Sequence, residues 1–195
     1  MGGVYVRLFQ MRYPGQVVGM VLVDPVHEYR LYTSYRGKTV PIVSLSAEEY
    51  RTVLPTAEVN IPKRRAQMGD PFSRLPETVY KARILLDQRT IDSYPPSVSA
   101  EIVREHAEAE RATFSELYVS RQKRPLALGS LPLIMLTRGR DTDKDRQAAY
   151  AELAASLSTR TRHTEVADAG HEIHLYRPTT VVDAIREVTA LARAR

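Results

Sequence analysis

Three residues stand where side chains do chemistry. Asp24 closes the run "VVGMVLVDP", Asp141 closes "LPLIMLTRGRD", and His171 follows Gly170 in "ADAGHEIH". An imidazole carries protons near neutral pH and a carboxylate steadies its charged form, so the pattern points to proton-transfer chemistry. His174, three residues after His171, is a weaker candidate that packs near the same loop. His27, His106 and His163 read as structural or solvent-facing. Asp141, Asp143, Asp145 and Glu152 match positions one, three, five and twelve of a calcium loop, but Arg146 occupies the sixth, where the sharp turn needs glycine. "HEIH" lacks the i, i+4 spacing of a helical zinc motif. The chain has no cysteine, which removes disulfides, thiolate metal sites and a cysteine nucleophile together. No metal and no cofactor are expected.

These groups must be held by particular elements. Val4, Leu8 and Met11 recur at helical spacing until Pro14 and Gly15 stop the pattern. The apolar run Val17 to Val23 reads as a strand buried on both faces, as in a parallel sheet. From His27 to Ser130 the character changes. Ser46 and Glu49 form a capping box opening a helix, "PETVYKARILLDQR" reads as a second helix, and "SVSAEIVREHAEAERATFSELYVSRQ" as a long amphipathic third. This segment reads as an all-helical insertion broken by prolines. The α/β rhythm resumes at Leu131, with a strand over Leu133 to Thr137 and a helix whose Tyr150, Leu153 and Leu157 share a side. A strand from Thr161 to Val166 follows. A closing helix is entered at Pro178, with Val182, Ile185, Val188 and Ala192 as its apolar stripe. The expected class is α/β, with parallel strands, flanking helices and functional groups at the strands' carboxyl ends. The expected organisation is a core segment over 1–26, a helical cap over 27–130 and a second core segment over 131–195.

Composition narrows the partners. The chain is 43% hydrophobic and 26% charged, enough for a real core. It has no apolar run long enough to span a bilayer and no secretory leader, so a cytoplasmic location without membrane contact is the default. The net charge of +5 raises nucleic acid as a partner. The basic residues are interspersed with acids, however, and short runs such as Lys63, Arg64 and Arg65 read as solvated surface, so no nucleic acid is expected.

Taken in order, "MGGVYVRLFQMRYPGQVVGMVLVDP", "LPLIMLTRGRD" and "AGHEIHLYRPTTVVDAIREV" resemble the C-terminal two-thirds of an α/β-hydrolase, with the intervening helices where many members carry a cap. The resemblance implies a Ser-His-acid site in which His171 takes and returns the proton of a serine hydroxyl. Asp141 occupies the commonest position of the family's acid and is preferred. Asp24 occupies a position used by a minority of members and also suits a turn cap. The family presents its serine in G-x-S-x-G, so "MGG" resembles the second half of that motif. The serine would then lie one residue ahead of the chain, and the N–H of Met1 would be part of the oxyanion hole. A misplaced start, a truncated gene and a split gene would all produce this beginning. Without the serine, turnover falls by a factor on the order of 10⁶, so the chain as written is expected to be inactive. The implied activity of the whole protein is hydrolysis of small esters or related carbonyl compounds. The alternative is a non-catalytic remnant or binding protein. The strand ending at Val23 is expected to lack a neighbour, which favours association through an exposed sheet edge or with an N-terminal half.

Overall fold

The computed structural model describes residues 2–28, 31–62, 64–124 and 126–194. It is a mixed α/β structure. Helix α1 (Gly2–Arg12) leads through a short 3-10 turn into strand β1 (Met20–Val23). Strands β6 (Leu133–Arg138) and β7 (Thr161–Val166) complete a three-stranded parallel sheet in the order β1-β6-β7. Met20 pairs with Leu133, and Leu133 in turn with Thr161. Between β6 and β7 runs helix α5 (Lys144–Leu157); after β7 come a short helix α6 (Ile173–Tyr176) and the closing α7 (Pro178–Arg193).

The period-two alternation of side chains divides the sheet's apolar residues between its faces. Met20, Leu22, Leu133 and Met135 pack with Tyr150, Leu153 and Leu157 of α5. Ile134, Leu136 and Val166 pack with Ala184 and Val188 of α7, joined by Val21 and Val23. The apolar stripe of α7 therefore differs from the expected one. Val181, Ala184 and Val188 face the sheet, whereas Val182 and Ile185 are exposed. Strand β1 is also shorter than the run of valines suggests. Val18 is 63% exposed, and the sheet is joined only after Gly19, where a side chain would meet Val188 Cγ2 at 2.9 Å.

The segment from 27 to 130 is not all-helical. It holds helices α2 (Ala47–Arg51), α3 (Glu77–Asp92) and α4 (Ala100–Lys123), but also two antiparallel strand pairs. Strands β2 (Tyr32–Tyr35) and β3 (Lys38–Pro41) form a hairpin, and β4 (Val59–Asn60) pairs with β5 (Ser97–Val98). The hairpin turns on Arg36 and Gly37, both at positive φ (50° and 74°), as a tight two-residue connection requires. An arginine at the first turn position conceals that signal, since asparagine or aspartate usually stands there. The capping box of Ser46 and Glu49 is present on α2. Helix α4 packs on α1 through Phe114 and Leu117 against Val4 and Leu8. Among the described residues, no helix is long and apolar enough to cross a membrane.

Candidate functional site

Strand β1 ends one residue before Asp24, whose φ of 43° turns the chain out of the sheet. Its backbone N–H still donates to Leu136 O at 2.7 Å, so the residue stays registered against β6. The side chain is fully buried and surrounded by donors. Oδ1 accepts from the Arg138 backbone N–H (3.3 Å) and from the Tyr150 hydroxyl (3.2 Å). Oδ2 lies 3.1 Å from Arg138 Nε and 2.6 Å from His171 Nδ1. Burial, followed by the charge of Asp24, pushes the Tyr150 hydroxyl above its ordinary range, which keeps it protonated and donating.

His171 reaches this carboxylate from the turn after β7. Ala169 bonds back to Val166, and Arg140 N–H donates to Ala169 O, so the exits of β6 and β7 are tied together. A side chain at Gly170 would stand 3.1 Å from the Tyr176 ring, which leaves the turn before His171 little room. A carboxylate only accepts, so Nδ1 is the nitrogen that donates here, and in the neutral ring Nε2 keeps its lone pair. The imidazole is 59% exposed, and Nε2 has no partner among the described residues. Buried acid, oriented ring and open second nitrogen are an arrangement that can move a proton at Nε2. A cleft of about 190 Å³ opens beside it, lined in part by Leu31, Arg146 and Tyr150.

Asp141 does not enter this arrangement. It is exposed, at φ 53°, and makes no hydrogen bond or ion pair with a described residue. The reason is the way β6 ends. Past Arg138 the chain stays against the β7 exit, Gly139 N–H donating to Val166 O, and a Cβ at Gly139 would lie 2.4 Å from Ala167 Cα. Asp141 comes only after that constrained stretch. Met1 lies outside the described residues, so the oxyanion role expected of its N–H falls there too. Asp143 caps α5, accepting from Arg146 N–H at 2.6 Å. His163 sits in β7 with Nε2 2.8 Å from Thr137 Oγ1. His106 is exposed on α4, and His174 is exposed on α6.

His27 belongs to a charged network that single-residue reading does not reveal. Glu28, 0% exposed, is gripped by Arg7 of α1 (3.0 Å) and Arg121 of α4 (2.7 Å). Arg121 also pairs with Glu152 of α5, which meets His27 Nε2 at 3.0 Å. Burial alone would raise the Glu28 carboxyl, but Arg7, a backbone hydrogen bond and Arg121 overcome it and hold it at about 2. Burial lowers His27, against the opposing pull of Glu152. A second cluster joins distant segments near the imidazole's turn. Asp70 pairs with Arg74 (2.5 Å) and Arg140 (3.5 Å), and both arginines stand over the Tyr176 ring. Among the described residues, no group of three or more His, Asp or Glu side chains has the arrangement of a metal site.

Neither a protein-family model nor a curated protein matches this chain.

Proposed function

We propose that the chain carries the base and the acid of a serine-hydrolase-type site in an α/β-hydrolase fold, acting on small esters or related carbonyl compounds. The observation that supports this best is the 2.6 Å contact between His171 Nδ1 and Asp24 Oδ2, made across 147 positions of sequence, with Nε2 left open. In this reading Nε2 accepts the proton of an attacking hydroxyl and later returns it to the leaving group. Asp24 holds the ring in the correct tautomer and stabilises the imidazolium. Arg138 and Tyr150 fix Asp24 in turn. The hydroxyl is the serine that the resemblance implies ahead of Met1. The packing of α1 agrees with that, because a Cβ on Gly3 would lie 2.8 Å from Pro25 Cβ, beside the residue that follows Asp24. Asp24 rather than Asp141 is the acid in this proposal.

The same reading assigns a partner to the free edge of β1, which pairs only with β6 among the described residues. Glu187 of α7 pairs with Arg162 of β7. At about 100° per residue Val182 and Ile185 fall on the opposite flank of α7, toward the open edge. There they join the exposed Val18 as apolar surface suited to an added strand and its helix.

The test is direct. DNA upstream of Met1 is translated in frame, and the extended protein is assayed on p-nitrophenyl acetate. Asp24→Asn is expected to lower kcat on the order of 10⁴-fold, as loss of the orienting acid does in such triads, and Asp141→Asn to leave it within a few-fold. Hydrolysis unchanged in His171→Ala would remove the proposal.

A further inference from the structure

We infer that the cleft beside His171 is an anion subsite, in which Arg146 holds a carboxylate or a comparably small oxyanion on the substrate. This rests on reading His171 and Asp24 as base and acid, and it adds a substrate class to that site.

The argument is one of charge balance within a single concave wall. The cleft is bounded by Asp24, His27, Arg138, Arg146, Tyr150 and His171, among others. The charge of Asp24 is matched by Arg138, 3.1 Å away. His27 is engaged by Glu152, whose charge is matched by Arg121. Arg146 is left over. It is half-buried in the first turn of α5, and its backbone N–H is taken by Asp143, but its guanidinium makes no hydrogen bond or ion pair with a described residue. Asp143 and Asp145, although close in sequence, do not pair with it.

An arginine presents a planar fork of N–H groups that fits a carboxylate in two-point contact. Here that fork shares a cleft with the exposed imidazole, so a ligand anchored by its anion would present its next atoms to Nε2. A volume of about 190 Å³ is roughly six times a water's share of the liquid. That has room for a carboxylate on a short carbon chain. The substrate of this description is a short ester bearing a free carboxylate, such as a half-ester of a dicarboxylic acid.

The experiment has two arms. In the first, the 195-residue chain is titrated with succinate and separately with neutral succinamide while the His171 ring resonances are followed by NMR. Succinate is expected to shift them with a Kd at least tenfold tighter than that of succinamide. Arg146→Ala should lose that preference and Arg146→Lys should keep part of it, each variant checked for an unchanged fold by its amide spectrum. Equal response to the two ligands, or a succinate response unaltered in Arg146→Ala, overturns the inference. In the second arm the extended protein is assayed on p-nitrophenyl hemisuccinate and p-nitrophenyl butyrate. A higher kcat/KM for the hemisuccinate that disappears in Arg146→Ala supports the subsite; cleavage of both esters alike overturns it and leaves the hydrolase reading standing. If neither ester is cleaved but succinate still binds through Arg146, the hydrolase reading falls and the subsite remains.

Discussion

Asp24 does two jobs with one side chain, and they are separable. As the cap of the β1 turn it accepts from the Arg138 backbone and from Tyr150; as the partner of His171 it uses Oδ2. Tyr150→Phe removes only the first kind of contact and leaves the buried Oδ1 with a single N–H donor. That variant should be destabilised by about 1–2 kcal/mol in urea unfolding, with the His171–Asp24 contact intact. A loss much below that would mean that Tyr150 merely fills space. The sequence offered Tyr150 as a core residue at helical spacing, which it is, but the destination of its hydroxyl is not written in that spacing. The ranking of the two aspartates fails for a related reason. Both follow strands, and what separates them is that β6 runs on beside the β7 exit while β1 turns away immediately. That difference depends on a neighbour far along the chain.

At the level of elements, pattern served well where burial is one-sided or complete. Strand β7 spans the expected Thr161 to Val166, and Tyr150, Leu153 and Leu157 line the buried side of α5 as their spacing implies. Pattern failed where two adjacent positions compete for one face. On α7 the sheet took Val181, Ala184 and Val188, and Ile185 was turned outward. Short strands escaped notice as well, since β2 and β3 expose half their residues and carry no apolar alternation. The completely buried Leu153 packs α5 against the sheet in a cluster that includes neither Asp24 nor His171. Leu153→Ala should therefore lower stability by about 2–5 kcal/mol while the His171 ring environment is unchanged by NMR.

Buried charge pairs as well as apolar packing join the segments of the molecule, and this has a pH signature. Glu28 folds with its carboxyl at about 2 against an ordinary 4.5. Its stabilisation, roughly 3 kcal/mol, is complete above pH 4.5 and lost as the pH falls toward 2. His27 acts in the same direction at higher pH. Its lowered value means that the unfolded chain binds the proton first, so stability starts to fall once the pH drops below about 6.5. Urea midpoints measured from pH 7.5 to 3 should decline in two stages, and Glu28→Gln should shrink the lower one, to which Glu152 of the same network also contributes. A pH-independent midpoint would rule the network out as a stabiliser. The open edge of β1 gives a second prediction. Val18→Lys places a charge on the exposed residue just ahead of that strand and should reduce any concentration-dependent association in sedimentation velocity; association unchanged in the variant would rule this edge out as its site.

The aromatic ring at Tyr176 has a mechanical consequence. It braces the glycine turn that holds the imidazole, and it is itself gripped by arginines from two remote stretches, one reached through Asp70. The loop around position 70 and the turn that carries His171, some hundred positions apart in the chain, thus meet across a single phenol.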